Sequence, residues 1–295
     1  MFRRLLGLAA GALCALFISV SLFAQAAERV MYVSVFDEKT HAPITGLGPE
    51  AFNIKEDGRS REVLRVTPAT TPMPIAVLID NTEGATKTIT DLRKALATFI
   101  RELDGVGPIA LISVADRPTI LLDYTTDQKK LLDAAGRIFA VSNSGATLLD
   151  AIVETGKGLE KRESDRAAMV IVTTENTEFS TRHYQEVLQA LGKSGAMLSA
   201  VVFTSPSGSP FDDAARNRAT VLDVGPRDSG GVRLDVLTSL AYDNRLHEVA
   251  VILKNQHRVV YARPQTLIPP EKVTVAATKP GQEAHGAPAR GQAAK

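Results

Sequence analysis

The sequence has no tryptophan, few aromatic residues of any kind (5%) and a single cysteine among its 295 residues. So small a set of rings offers little on which bases could stack. With 34 Lys and Arg against 33 Asp and Glu, the formal net charge is +1, which leaves no basic footprint for nucleic acid or for an acidic membrane surface. Cys14 lies inside the first apolar stretch, and no other thiol follows it. The rest of the chain therefore has no cysteine nucleophile, no thiolate metal site and no disulfide, a composition that suits an oxidising compartment without needing a bridge. Catalytic signatures are missing as well. No Gly-x-Ser-x-Gly elbow occurs. Ser205-Pro206-Ser207-Gly208-Ser209-Pro210 lacks the Lys-Ser/Thr and helix start of a phosphate loop, and reads as a flexible loop. His41, His183, His247, His257 and His285 do not pair at metal-ligand spacing and read as surface or turn residues.

What is present begins with a leader. Arg3 and Arg4 precede an apolar run from Leu5 to Phe23, and Ala24-Gln25-Ala26 supplies a small-x-small cleavage pattern. Residues 1–26 are expected to be a general secretory signal peptide, cleaved after Ala26, which places the protein in the periplasm or outside the cell. Retention as an anchor is the alternative, since a run of roughly 20 apolar residues spans a bilayer.

Residues 28–66 read as a small β module. Val30–Phe36, Ile44–Leu47, Ala51–Ile54 and Val63–Val66 are its strand candidates, and Asp57-Gly58 is a hairpin signal. A Pro- and Thr-rich linker follows, Thr67 to Pro74. From Ile75 onward strands and helices alternate. Ile75–Ile79, Ile109–Val114, Ala167–Val172 and Leu198–Phe203 are apolar runs of buried-strand type, and Thr119–Leu122 suits a sheet edge. Ile89, Leu92, Leu96, Phe99 and Leu103 recur at steps of 3, 4, 3 and 4, one face of a helix. Further helices are marked by Leu131 to Phe139, Leu148 to Leu159, Val187 to Leu191 and Leu246 to Leu253. Ser205 to Arg218 reads as a surface excursion whose Asp212, Asp213, Arg216 and Arg218 form a solvated charged stretch. This order predicts an α/β domain over 75–263 built on a doubly wound, mostly parallel, Rossmann-like sheet. A C-terminal strand segment follows over 264–278. The last stretch, 279–295, has no large apolar residue to offset its ordering entropy and is expected to be a disordered tail.

The focal stretch is Ile75-Ala76-Val77-Leu78-Ile79 followed at once by Asp80, Asn81, Thr82 and Glu83. Polar residues just past a central parallel strand stand where ligands bind in such sheets. In several pieces the chain resembles the bacterial family of secreted von Willebrand factor A-related proteins, over nearly all of its length after the leader. The pieces are Val33-Ser34-Val35-Phe36-Asp37, Ile44-Thr45-Gly46-Leu47 and Phe52 to Gly58, then the strand ending at Asp80. Asp123 to Asp127, Ser144-Gly145-Ala146-Thr147-Leu148-Leu149-Asp150-Ala151-Ile152, Ser229-Gly230-Gly231 and Tyr261-Ala262-Arg263-Pro264 follow in the same order. The resemblance implies a von Willebrand factor A-like fold and a metal-ion-dependent adhesion site. That site draws an Asp and two Ser from a first loop, a Thr from a second and an Asp from a third, around a cation whose open position a partner's carboxylate fills.

Transferred residue by residue, the implied site is degenerate. Asp80 matches the first Asp, Thr82 keeps a hydroxyl, and Gly84 has none. Ala146 stands at the Thr position, with Thr147 its replacement if the loop shifts by one residue; Thr174 stands at the last Asp, with Glu175 beside it. The expectation is a secreted or periplasmic, non-enzymatic interaction module of adhesion type. It would bind an unknown protein partner through Asp80, Asn81, Thr82, Glu83, Ser144, Thr147, Thr174 and Glu175, without catalytic residues, metal or other cofactor, and without nucleic acid or membrane. A residual Mg²⁺ site is the alternative at those residues. Asp80→Ala is expected to weaken partner binding and to leave the fold intact. A second function class is a metal-dependent hydrolase, since Asp80-x-Thr82 is also similar to the nucleophile loop of haloacid dehalogenase-type phosphatases. That chemistry wants a second Asp where Thr82 stands and a later acidic pair where Phe203-Thr204 ends a strand.

Overall fold

A computed structural model of the chain describes residues 27–204, 212–265 and 268–289. The expected leader therefore lies outside the described residues, as does the Ser205–Pro210 loop. Among the described residues, no helix is long and apolar enough to cross a membrane.

The chain opens with β1 (Ala27–Asp37), β2 (Phe52–Glu56), β3 (Arg59–Arg61) and β4 (Val63–Pro68). Alternation follows: β5 (Ile75–Ile79), α1 (Ile89–Glu102), β6 (Ile109–Ser113), β7 (Thr119–Thr125), α2 (Gln128–Gly136), α3 (Leu148–Lys161), β8 (Ala167–Thr174) and α4 (Tyr184–Ser194). Then come β9 (Ala196–Phe203), α5 (Asp213–Ser229), β10 (Arg233–Val236), α6 (Tyr242–Lys254), β11 (His257–Arg263), β12 (Val273–Ala277) and β13 (Gln282–Pro288). The main sheet has six strands in the order β10-β9-β8-β5-β6-β7. Its pairs are parallel except at the edge, where β7 runs antiparallel to β6.

Every residue of β5 and β8 is buried, because helices cover both faces. Ile75, Val77 and Ile79 face α1, α2 and α6, whereas Ala76 and Leu78 face α3, α4 and α5. The chain passes from β5 to β6 on one side and later enters β8 on the other. The order thus reverses between β5 and β8, and the crevice beyond their carboxyl ends is the natural binding position of the fold. Asp80 and Thr174 lie there.

The small β module is not made by residues 28–66 alone. Its sheets are β13-β1-β11-β4 and β12-β2-β3, so strands from both ends of the chain complete it. Met31, Val33, Val35, Phe52, Ile54, Val259 and Tyr261 form its core. The alternate residues of β1 turn the other way: Phe36 joins the core of the larger domain, and Ser34 Oγ donates to the Ile252 carbonyl at 2.7 Å. β1 is consequently buried on both faces and joins the two layers. At the module's centre, buried Glu56 accepts from Tyr261 Oη at 3.0 Å and from Arg61 Nε at 2.9 Å. The Asp57-Gly58 turn has positive φ at both residues, 47° and 78°, as a two-residue hairpin loop of this kind requires.

Several elements depart from the sequence reading. Ile44–Leu47 forms no strand; Pro43 makes a single bridge to Phe36. Much of the supposed surface excursion is the first turns of α5, capped by Asp212, which accepts from Ala215 N at 2.7 Å. His257 is a buried strand residue, and His285 lies part-buried on β13. Within the expected tail, residues 290–295 lie outside the described residues, while Gln282–Pro288 form β13, paired along β1 from Met31↔Pro288 to Asp37↔Gln282. Its small residues are the reason it fits: a Cβ on Gly286 would lie 2.9 Å from side-chain atoms of both Val275 and Val33. Backbone pairing, not apolar burial, orders this segment. Deleting residues 279–295 is expected to raise amide exchange across Met31–Asp37 sharply while leaving Ile75–Ile79 protected. Unchanged exchange in β1 would disprove the pairing.

Candidate functional site

Asp80 follows directly on β5 and is 1% exposed. Its Oδ1 accepts from the backbone N–H of Thr82 at 3.0 Å and the hydroxyl of Thr82 at 2.7 Å. Its Oδ2 accepts from Thr173 Oγ1 at 2.8 Å, Thr174 N at 2.9 Å and Thr174 Oγ1 at 3.0 Å. Both carboxylate oxygens are thus engaged by the chain itself, and the ends of β5 and β8 are bound together through one side chain. Thr82, also buried, accepts in turn from Asn176 Nδ2 at 2.8 Å. The side chain of Asn176 fills the room that Gly84 leaves, since a Cβ on Gly84 would lie 3.0 Å from Asn176 Nδ2 and 3.1 Å from Thr174 Oγ1.

Behind Asp80 stands a cation that the sequence reading placed in solvent. Arg218, on α5, is 5% exposed. Its guanidinium donates to Thr173 Oγ1 at 2.6 Å, to the Thr174 carbonyl and to the Asn176 carbonyl at 2.8 Å. The Thr173 hydroxyl sits between Arg218 and Asp80, accepting from one and donating to the other. Arg218 Nε also faces Glu178 Oε2 at 3.6 Å, an ion pair without a hydrogen bond, and among the described residues neither atom has another hydrogen-bond partner. Burial holds the Glu178 carboxyl above the usual glutamate range, against the opposing pull of Ser180 and Arg218. The negative charge of the loop cluster is therefore offset in part by a guanidinium supplied from within the chain.

The other predicted residues are brought to the same edge but not to one point. Asn81 is spent on the backbone: its Oδ1 accepts from Ala115 N at 3.3 Å and its Nδ2 donates to the Phe139 carbonyl at 3.1 Å. Ser144 Oγ donates to the Val141 carbonyl at 2.7 Å and accepts from Glu83 N at 3.2 Å. Exposed Glu83 accepts from Asn143 N at 3.0 Å. Thr147 points away, its hydroxyl donating to the Val114 carbonyl at 3.2 Å. Glu175 is part-buried, with its N–H on the Phe203 carbonyl at 3.0 Å. The loops are zippered as well: Ala146 bridges both Ala115 and Glu178, and Phe179 N donates to the Ala146 carbonyl at 2.7 Å.

A hard divalent cation wants about six oxygen ligands converging on one point, several of them anionic. Here Asp80 is already saturated, Gly84 and Ala146 offer no side-chain oxygen, an amide N–H of Asn176 points at the Thr82 hydroxyl, and a buried guanidinium lies one residue away. These residues do not fit such a cation.

Sequence reasoning missed Thr173, Asn176, Glu178 and Arg218, along with two exposed aromatics, Phe139 (71%) and Phe179 (55%). One signal for Arg218 was present. Arg218, Val221, Leu222 and Gly225 share the buried stripe of α5, so the residue falls on the apolar period and not on the polar face.

No family model matches the chain, and no curated protein sequence does. Solved structures do match. The conserved hypothetical protein BatB from Bacteroides thetaiotaomicron aligns at 14% identity with a TM-score of 0.47, over 62% of this chain and 100% of its own. A von Willebrand factor type A protein from Catenulispora acidiphila aligns at 10% identity with a TM-score of 0.46, over 90% of this chain and 73% of its own. The human COPII-coat protein Sec24c aligns at 10% identity with a TM-score of 0.48 over 74% of this chain, which spans only 43% of that protein. At such identities the likeness concerns the fold alone. The doubly wound α/β architecture expected of a von Willebrand factor A-like domain is present in this chain's own strand order.

Proposed function

We propose that the chain is a non-enzymatic protein-binding module, acting in the periplasm or outside the cell, which meets its partner at the carboxyl edge of the six-stranded sheet without a metal ion. One observation carries this reading. The polar centre of that edge is closed by internal hydrogen bonds, while its surface presents Phe139 and Phe179, exposed at 71% and 55% in a chain with few aromatics. Phe179 lies over Gly145, where an added Cβ would approach its ring to 2.5 Å, so the ring is braced against the neighbouring loop. Phe139 is held through its carbonyl by Asn81. Exposed aromatic rings are typical anchors of protein interfaces, and one that is braced, as Phe179 is, loses less entropy on contact. The residues around Asp80 thus serve as the framework of the face, and the residues that touch the partner are the rim: Glu83, Phe139 and Phe179.

A hydrolase reading finds no support in this geometry. Asp80 has both oxygens committed to three threonine hydroxyls and two backbone amides, and a threonine stands where the acid/base carboxylate would be needed.

The test is affinity capture from envelope extract with quantitative mass spectrometry. The double variant Phe139→Ser/Phe179→Ser should lose the captured partner at unchanged melting temperature, while Lys157→Ala on the far side of α3 should retain it. Equal capture by all three proteins would refute the assignment of this face.

A further inference from the structure

Beside the Asp80 crevice, a cleft of about 280 Å³ opens between the end of β6, the start of β7 and the segment after α2. Cofactor and drug-sized sites run from roughly 300 to 1,000 Å³, so this cleft suits one or two side chains. Its lining combines the apolar side chains of Leu121, Ile138, Phe139 and Val141 with the polar Asn81, Ser113 and Thr119. Its mouth carries Arg117 and Arg137, both exposed, and among the described residues neither guanidinium has a hydrogen-bond or ion-pair partner. Asp116 is the acid that lines it. Asp116 adopts a left-handed conformation, φ 44°, and its N–H donates to the Gly145 carbonyl at 2.9 Å, which fixes the turn that presents Arg117.

We infer that this cleft receives an acidic side chain of the partner, with an adjacent apolar residue seated on Phe139. Resting on the binding face proposed above, this assigns that face a partner chemistry. The carboxylate is taken by guanidinia at the mouth of the cleft, not by the closed centre at Asp80. The charge arithmetic favours an acid: two arginines face one aspartate, and an incoming carboxylate brings the local sum to zero. Arginine suits the task because its planar fork matches a carboxylate and its charge is weakly hydrated. The apolar side chains of the lining supply the rest of the contact area.

The experiment is selection of a random heptapeptide display library on the purified protein, followed by affinity measurement of the selected peptides as synthetic compounds. Expected are sequences with Asp or Glu next to an aromatic or aliphatic residue. Their affinity should fall about tenfold in Arg117→Ala and again in Arg137→Ala, and fall with added salt. Arg117→Glu/Arg137→Glu should instead select basic peptides. Because both arginines are exposed and unpaired, these variants should melt with the parent protein. Acidic peptides that bind the arginine variants undiminished would overturn the inference, as would selected peptides without an acid. If such peptides are nonetheless lost on Phe139→Ser/Phe179→Ser, the binding face stands and only its partner chemistry falls. If selection yields nothing above a blank surface, both fall.

Discussion

Arg218→Met is expected to destabilise the native state by about 3–5 kcal/mol, the range found when one member of a buried ion pair is removed. For a domain whose stability is of order 5–15 kcal/mol, that is the difference between a folded and a partly unfolded population. The cause is local. Without the guanidinium, Glu178 is left as a buried carboxylate with no cation, and the carbonyls of Thr174 and Asn176 lose their donors. Arg216, two residues away and exposed, is paired with Asp213 on the helix surface, so Arg216→Ala should stay within about 0.5 kcal/mol of the parent. Arg218→Met/Glu178→Gln should recover part of the loss, since the uncompensated charge is gone while the orphaned carbonyls remain. Chemical denaturation of the four proteins measures all of this, and equal midpoints for Arg218→Met and Arg216→Ala would refute a buried pair. A pH dependence follows with a definite sign. Glu178 is held above the usual glutamate range by burial. The folded chain therefore binds that proton more tightly than the unfolded chain, and the stability from this group is lost as pH rises from the ordinary glutamate value through the raised one. Glu178→Gln should flatten that slope.

The same cluster explains what the sequence could and could not reveal. Ile75–Ile79 and Ala167–Val172 were legible because a strand covered on both faces must be apolar throughout. Asp80 and Thr174 were legible because polar residues at such strand ends fall in the crevice of a doubly wound sheet. α5 was hidden. Its buried stripe contains an arginine, a glycine and a proline, three residues that composition assigns to surface and loop. β13 was hidden for a related reason: Ala284, Gly286 and Ala287 carry almost no apolar area, yet their smallness lets the strand lie against Val33 and Val275. Residue order does not show that β11, β12 and β13 pair with strands from the opposite end of the chain. Of the site residues read from the sequence, Thr82 and Thr174 hydrogen-bond to Asp80, and the others reach the same edge with partners of their own. The missing ones, Asn176 and Arg218, come from elements whose position depends on packing.

Asp80→Ala tests whether this carboxylate holds the fold or waits for a ligand. A free ligand-binding carboxylate could be truncated at little cost to the fold, as the sequence alone suggested. The structure predicts otherwise. Five donors converge on Asp80, and two of them, the backbone N–H groups of Thr82 and Thr174, are fixed by the strand ends and cannot turn elsewhere. Leaving a buried donor unsatisfied costs about 1–3 kcal/mol, so Asp80→Ala should lose roughly 2–4 kcal/mol once the threonine hydroxyls have paired with one another. Asp80→Asn should be no milder, because its amide must point N–H groups at a ring of donors in which only an acceptor is satisfied. Denaturation midpoints read the cost. Titration with MgCl₂ provides the complementary measurement: the parent protein's midpoint should not move at millimolar Mg²⁺, because a ligand stabilises a fold only by binding it. A silent Asp80→Ala together with a Mg²⁺-dependent midpoint would restore the metal site. A destabilised Asp80→Ala with a Mg²⁺-independent midpoint would show that the Asp80 carboxylate, without a cation, holds the ends of β5 and β8 together.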